Sequence, residues 1–347
     1  MELKKSKERI LICPLNWGLG HATRCIPIIN ELIRQGHTIV VAADEGPLKL
    51  LKKEFPDLAF IVFPNYSVRY PSGRNMTVSM LLQSPQIFYS IYKEHLQLKK
   101  IIAHNKIDVV ISDNRFGLWN KYVKSIFITH QLFIKTPIAQ VFTNAINHWF
   151  IKQYDECWVP DAEGENNLSG ELSHQQKQLP NVKFIGALSR FNKQENSLEK
   201  KWDVLVILSG PEPQRSIFEN LVVQQLKQTS LKTLIVKGVV RDEEVWEEIN
   251  SNITSVSHLL TKQLETVLLS SEIIVSRSGY STIMDLATLG KKAIFVPTPG
   301  QTEQEYLAER FMKKGICFSQ TQTEFDLEIA LKESENHTGF KNIFDNK

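Results

Sequence analysis

Residues 10–43 read ILICPLNWGLGHATRCIPIINELIRQGHTIVVAA, and this stretch decides the fold. Ile10 to Leu15 is an almost unbroken apolar run, as a strand buried on both faces requires. Asn16-Trp17-Gly18-Leu19-Gly20 supplies a turn. From about His21 the residues Ile26, Ile29, Leu32 and Ile33 recur at helical spacing. Gly36 stands where a helix C-terminal glycine belongs. Thr38 to Ala43 is a second strand. Strand, helix and strand in this order make a right-handed crossover with parallel strands.

The same alternation extends outward from this unit. Strands are expected at Phe60 to Phe63, Val109 to Ser112 and Ser125 to Thr129, with a long amphipathic helix over Leu81 to Ile102. A second series follows Phe184-Ile185-Gly186, with strands at Val204 to Leu208, Leu231 to Val236, Ile273 to Ser276 and Ala293 to Val296 forming a second parallel sheet. The expectation is an α/β chain of two Rossmann-like, doubly wound domains facing across a cleft. Residues 1–186 form the first and 202–347 the second, with a polar, aperiodic linker at 187–201. The last helix is a candidate to pack back on the first domain. Ligands of such folds gather at the carboxyl edges of the strands.

Composition narrows the function. At roughly 150 residues per domain, a chain of 347 residues has room for two cores. Lys plus Arg number 41 against 38 for Asp plus Glu, a net charge of +3. That balance is too even for a dedicated nucleic-acid binder, though a local basic patch can still meet a phosphate or anionic lipid. Cys13, Cys25, Cys157 and Cys317 have no metal-type or disulfide-framework spacing, so reduced thiols in a cytoplasmic setting are expected. His95, His104, His148, His174 and His258 show no ligand spacing either, so no metal is expected. The apolar run after the first residues meets Asn16 and Gly18 too early for a signal peptide, and no window is apolar for long enough to span a membrane.

The second motif is Ser276-Arg277-Ser278-Gly279-Tyr280-Ser281-Thr282-Ile283-Met284-Asp285-Leu286. A strand runs into a helix through a small, hydroxyl-rich turn. Gly279 allows close backbone approach to a ligand. Ser278, Ser281 and Thr282 offer hydroxyls beside the helix N–H groups, and the helix dipole favours an anion such as a diphosphate. Asp285, one turn in, can accept from ribose hydroxyls. The plain alternative is that Thr282-x-x-Asp285 is a capping box needing no ligand. Gly290 ends the helix, and the loop Pro297-Thr298-Pro299-Gly300-Gln301-Thr302-Glu303-Gln304-Glu305-Tyr306 follows the next strand with amides and carboxylates suited to sugar hydroxyls.

These residues, with Leu289-Gly290-Lys291-Lys292-Ala293-Ile294-Phe295-Val296-Pro297 between them, resemble the C-terminal domain of family 28 glycosyltransferases. Within that family the pattern is most similar to the peptidoglycan N-acetylglucosaminyltransferase that makes lipid II. The resemblance is good over Ser257 to Phe311 and weak elsewhere, while the order of elements covers nearly the whole chain. It implies the glycosyltransferase-B fold, with a nucleotide sugar, by resemblance a UDP-sugar, held mainly by the second domain. Ser278, Gly279, Ser281 and Thr282 would contact the diphosphate and Asp285 the ribose. Gln304 and Glu305 would meet the donor sugar, and Leu260 and Thr261 would lie by the base. The lipid II enzyme has Glu where Asp285 stands and a paired Gln where Glu305 stands, which bears on the donor sugar more than on the nucleotide. The loop Leu208-Ser209-Gly210-Pro211-Glu212-Pro213-Gln214-Arg215 is Gly-rich in the family and touches the donor. Here two prolines lack N–H groups, so Ser209, Gly210 and the guanidinium of Arg215 are the remaining candidates, unless Arg215 is a solvated surface residue. Arg277 is expected to brace the turn.

Gly18-Leu19-Gly20-His21-Ala22-Thr23-Arg24 resembles the first-domain glycine loop of the same family, which places Gly18 and Gly20 beneath the substrates. His21 sits at a helix N-terminus, which disfavours its charged form. A neutral imidazole can take a proton from an acceptor hydroxyl; the alternatives are that it positions the donor or caps a backbone carbonyl. Asp113 can orient His21 or itself be the base, or be a turn aspartate. Asn114, Arg115 and His130 emerge at the same sheet edge, where the family binds acceptor. A dinucleotide site is a competing reading, with Gly18-x-Gly20 and Asp44, but Thr23 replaces the third glycine and His21 stands in the pyrophosphate path.

Tyr66 to Leu96 carries Val68-Arg69-Tyr70-Pro71, Arg74, Met76, Val78, Met80-Leu81-Leu82, Ile87-Phe88-Tyr89 and Ile91-Tyr92-Lys93. Its spacing reads as a core-facing helix; the alternative is a surface that meets a membrane and collects a lipid-linked acceptor. The expected activity is inverting, metal-independent sugar transfer from a nucleotide sugar to a hydroxyl, with no cofactor. Nucleotide-sugar hydrolysis or epimerisation on the same fold, and a non-catalytic nucleotide-sugar-binding subunit, are the rivals.

Overall fold

The computed structural model describes residues 7–65, 76–136, 140–175, 179–192, 198–341 and 343, apart from the side chains of 76–82. Among the described residues the chain divides into two units, 7–65 with 77–188 and Met76 with 189–343.

The first unit runs β1 (Arg9–Pro14), α1 (Gly20–Arg34), β2 (Thr38–Ala43), α2 (Glu45–Glu54), β3 (Ala59–Val62), α3 (Met76–Asn105), β4 (Val109–Asp113), β5 (Lys124–Ile128), α4 (Gln140–Ile151), β6 (Glu156–Val159) and β7 (Val182–Phe184). Its seven strands lie in the order β3-β2-β1-β4-β5-β6-β7, all parallel. The central strands are covered on both faces, so Ile10 to Cys13 and Val110 to Ile111 have no exposed surface. Leu98 of α3 packs with Leu11, Val40 and Val110 on one side. That double burial is why the sequence reads as apolar runs rather than alternation. Gly36 takes φ of +86° just past α1, a left-handed conformation that glycine adopts without strain.

The second unit runs β8 (Trp202–Ile207), α5 (Gln214–Leu226), β9 (Thr233–Val236), β10 (Trp246–Asn250), β11 (Ile253–Val256), α6 (Thr261–Leu269), β12 (Ser271–Ser276), α7 (Tyr280–Leu289), β13 (Ala293–Phe295), α8 (Thr302–Lys313), β14 (Phe318–Ser319) and α9 (Leu327–Ser334). The strand order is β10-β11-β9-β8-β12-β13-β14. A purely parallel sheet was the expectation, and β10 corrects it: it pairs antiparallel with β11. The connection between Asn250 and Ile253 is too short for a crossover, so the two strands form a hairpin. Exposed Glu247 and Glu248 place charge on this edge strand, which discourages pairing with another chain. The last helix, α9, packs on β13, β14 and α5 of its own unit.

In both sheets the strand order reverses beside the first strand, between β1 and β4 and between β8 and β12. Connections leave these neighbours in opposite directions, so each sheet opens a crevice there at its carboxyl edge. All four cysteines are free and buried. Burial drives their thiols towards the protonated form, Cys13 up to about 12.

Of the segment Tyr66 to Leu96, the part up to Asn75 and the side chains of Met76 to Leu82 lie outside the described residues. Beyond it, α3 turns Ile91 and Leu98 inward. No helix among the described residues is long and apolar enough to cross a membrane.

Candidate active site

At the carboxyl edge of the first sheet, β1 and β4 lie side by side with Pro14 opposite Asp113. The turn after β1 bends at Gly18, with φ of +95°, and α1 begins at Gly20. His21 and Arg24 are three apart, so they share one face of α1. That face meets Asp113 at the end of β4. His21 Nδ1 lies 3.0 Å from Asp113 Oδ1. Arg24 grips the same carboxylate with both arms, Nε donating to Oδ2 at 2.6 Å and Nη2 to Oδ1. Its Nη1 donates to His130 Nδ1 at 3.0 Å. Cys25 Sγ is 3.7 Å from Asp113 Oδ2. Burial alone would raise the Asp113 carboxyl, but Arg24 and His21 outweigh it and hold it at about 2. The carboxylate is therefore ionised and acceptor-only: it accepts from His21 Nδ1 in the tautomer that leaves Nε2 its lone pair, whereas Arg24 Nη2, 2.9 Å away, donates to Nδ1 in the other. Burial, with Arg24 alongside, lowers the His21 pKa below its ordinary value although Asp113 pulls the other way. The readings of Asp113 as a turn aspartate and of His21 as a backbone cap are thereby replaced by a carboxylate–imidazole pair.

Arg24 is the residue the sequence reading passed over. A basic residue on a helix is ordinarily solvated, yet this one is 2% exposed. The signal that could have found it is its spacing of three from His21.

Asn114 takes φ of +59°, a left-handed turn that asparagine tolerates better than most. Its N–H donates to the Ile128 carbonyl at 3.1 Å. The expectation that Arg115 meets an acceptor is corrected. Arg115 has no exposed surface, pairs with Glu94 at 2.9 Å and donates to the Phe63 and Pro64 carbonyls. Its guanidinium stacks 4.3 Å from the Phe63 ring. It locks α3 and β3 to the loop after β4. Gly117 makes this approach possible, since a Cβ there would sit 2.4 Å from the Ile91 carbonyl oxygen.

In the second unit the corresponding crevice is flanked by the loops after β8 and β12. The β12 strand passes through Arg277 and Ser278 into α7, whose N-cap is Gly279. Thr282 is the third residue of that helix rather than its cap, and no side chain caps Gly279. The capping-box reading of Thr282 and Asp285 is therefore excluded by geometry. A Cβ built on Gly279 would meet nothing within 4 Å. There is thus open space beside Gly279 at the start of α7. Ser281 and Thr282 are half-buried beside it, while Ser278 is buried and donates to the Gln304 carbonyl at 2.7 Å. Gly210 has φ of +98°, and a Cβ there would lie 3.8 Å from Thr298 Oγ1. That hydroxyl is buried and unpartnered among the described residues, as is Ser276 Oγ. Leu260 and Thr261 stand at the start of α6 on the same carboxyl edge, and the Leu260 N–H donates to Gln263 Oε1.

Several side chains cast as donor ligands are otherwise engaged. Arg215 donates to Glu212, Glu219, Ser216 and the Lys237 carbonyl, with both carboxylates within 2.8 Å. It is neither a free phosphate ligand nor a solvated arginine; two acids already balance its charge. Asp285 accepts from Ser189 Oγ at 2.8 Å and from Arg190 Nε at 3.2 Å. Ser189 and Arg190 went unnoticed in the sequence because that segment reads as a polar linker. Gln304 Oε1 accepts from the Thr298 N–H and Glu305 Oε1 from the Gly300 N–H, at 2.8 and 2.9 Å. Both therefore shape the loop after β13. Arg277 braces the turn, reaching the Val296, Pro297 and Gln214 carbonyls over the Phe218 ring.

Among the described residues no group of three or more His, Cys, Asp or Glu side chains is placed to hold a metal ion.

Comparison with known proteins bears on the family and the fold. Residues 204–340 match the glycosyltransferase family 28 C-terminal domain. An uncharacterized glycosyltransferase of Methanopyrus kandleri is 21% identical over 305 residues, covering 83% of this chain and 85% of that protein. The UDP-N-acetylglucosamine--N-acetylmuramyl-(pentapeptide) pyrophosphoryl-undecaprenol N-acetylglucosamine transferase of Pasteurella multocida is 22% identical over 319 residues, covering 89% and 83%. The solved glycosyltransferase of kitacinnamycin superposes with a TM-score of 0.64 at 15% identity, over 98% of this chain and 95% of that one. Residues 204–340 thus carry a match to the glycosyltransferase family 28 C-terminal domain, and the chain has the glycosyltransferase-B fold of that solved structure.

Proposed function

We propose that this chain is an inverting, metal-independent transferase that moves a sugar from a UDP-sugar to a hydroxyl of a lipid-linked acceptor, with no cofactor. The observation that carries the reading is the His21–Asp113 pair. An ionised carboxylate holds Nδ1–H and leaves Nε2 as a base. As the acceptor oxygen forms its bond to the anomeric carbon, its proton passes to His21 Nε2. The bond from that carbon to the diphosphate breaks, and UDP departs with the electron pair. One displacement inverts the anomeric centre. The end of α7, with Ser281 and Thr282, receives the charge that develops on the leaving diphosphate. The loop at Ser209 and Gly210 lies on the other flank of the same crevice. UDP and a polyprenyl-type acceptor are inferred by analogy with the Pasteurella multocida transferase, whose name carries both.

The test places a carboxylate where the diphosphate would lie. An acid in the first turn of a helix favours the helix itself, so Ser281→Asp is expected to leave the melting temperature unchanged or slightly raised. It is expected to weaken UDP binding about tenfold or more, the size of losing one charge-assisted hydrogen bond. Calorimetry with UDP and UDP release from a panel of UDP-sugars read the two effects. Unchanged UDP affinity would remove the donor site. Release of free sugar without any acceptor would identify a hydrolase instead.

We read the chain as acting in the cytoplasm at a membrane face. The outer side of α3 and α4 supports this: Phe88, Tyr89, Tyr92, Phe142 and Trp149 are all more than 40% exposed, with Lys93 exposed among them. Aromatics of this kind enter the headgroup region, and lysines meet anionic lipid. Replacing Tyr89, Phe142 and Trp149 by serine is expected to lower co-sedimentation with vesicles containing anionic lipid by about tenfold or more, each large side chain contributing about 1.5 kcal/mol or more when buried. Equal sedimentation of variant and wild type would assign that face to something other than a bilayer.

A further inference from the structure

The first unit contains a buried guanidinium that the transfer reaction does not itself demand. Arg24 meets Asp113 through two hydrogen bonds and His130 through a third. Its Nη2 also lies 2.9 Å from His21 Nδ1. Arginine can only donate, so His130 Nδ1 is the acceptor and its hydrogen is on Nε2. At His21 Nδ1 the same rule makes Arg24 the donor in one tautomer and Asp113 the acceptor in the other, and in the second, which the proposal takes, Arg24 acts on the ring through its charge. The charged and titratable groups acting on His21 are then Asp113 from β4, Arg24 from α1 and His130 after β5, with Cys25 on the Asp113 carboxylate and Cys13 acting on Cys25.

A carboxylate beside an imidazole does two things at once. It fixes the tautomer, and it also favours the imidazolium, which is useless as a base. The two effects cannot be separated with an aspartate alone. A second charge of opposite sign, placed on the far oxygen and near the ring, separates them. We propose that Arg24 is a positioning residue for the transfer: it clamps Asp113 in one orientation and offsets that carboxylate's charge, so that His21 Nδ1 stays a donor while Nε2 remains available. This rests on the reading of His21 as the base. Arg24 touches neither substrate in this scheme; it acts through Asp113 and His21. A lysine in its place would keep the charge but lose the planar fork that holds both oxygens.

The experiment separates charge from geometry. Protein labelled with 15N-histidine is titrated by NMR in the wild type, Arg24→Met and Arg24→Lys, with UDP release followed across the same pH range. In the wild type His21 is expected to be the Nδ1–H tautomer with a midpoint below 6.5. In Arg24→Met the midpoint is expected to rise by about one pH unit or more, and the acid limb of kcat/KM to move up with it. In Arg24→Lys the midpoint is expected to stay low while kcat falls. Should Arg24→Met melt before it can be titrated, Arg24→Gln, which keeps N–H donors and loses the charge, carries the same expectation. A His21 midpoint unmoved in the charge-free variant would overturn the proposal. A wild type that releases UDP from no UDP-sugar would instead sink the transferase reading, and the NMR midpoints would still decide whether Arg24 sets the titration of His21.

Discussion

His21→Ala is expected to cut turnover by about 10²- to 10⁴-fold, the usual contribution of a positioned general base. The reasoning starts from two hydrogen-bond partners. Asp113 is ionised, and in the proposed tautomer it accepts from Nδ1, which leaves the lone pair on Nε2. Removing the ring removes the proton acceptor and leaves the fold of α1 alone, because alanine is a good helix former. UDP affinity is expected to be unchanged, since the proposed nucleotide groups are in the other unit. The pH profile supplies a second check. Burial and Arg24 lower the His21 pKa below 6.5, so the wild type is expected to keep its activity down to a pH below that value and lose it on further acidification. UDP-release kinetics beside UDP calorimetry measure both. Loss of UDP binding in step with turnover would mean that His21 holds the donor and is not the base.

The second large effect is on stability. Asp113→Leu leaves the Arg24 guanidinium buried with no counter-charge, at a cost of about 3–5 kcal/mol. For a unit of this size that lowers the melting temperature by roughly 6–20 °C. Removing both charges as Asp113→Leu with Arg24→Met is expected to recover most of the loss, because apolar groups of similar volume replace a buried pair at little net cost. Acid adds a signature. The Asp113 carboxyl is held at about 2 against an ordinary 3.8, so the stability it confers is complete above pH 3.8 and drains away as pH falls towards 2. The double variant should lack that component. Urea melts of the three proteins at neutral and acid pH give the comparison; equal stability of single and double variants would show that Arg24 finds another partner.

The strands and the two turns at the sheet edges were legible because burial on both faces leaves apolar runs, and because glycines and hydroxyls cluster where backbone must come close to a ligand. Thr38 to Ala43 coincides with β2 for that reason. The short strands β6, β7 and β14 were not legible, since two to four residues with a charge or a serine among them carry no period. The site was read by residue type, and type misleads where charges pair off. Arg115 and Arg215 have the chemistry of phosphate or acceptor ligands, but Glu94, Glu212 and Glu219 claim them through contacts 3 to 21 residues apart. Arg24 failed in the opposite sense. Its partner lies 89 residues away on β4, and only the parallel pairing of β1 with β4 brings the two together.

The buried thiols have a practical consequence. Cys13, Cys25 and Cys157 belong to the first unit and Cys317 to the second, and none has exposed surface. Each is kept as the unreactive thiol by its surroundings. An alkylating reagent therefore gains access only when the surrounding core opens, and the mass of the modified peptide tells which half of the molecule came apart. The chain carries its own clock for the opening of each half.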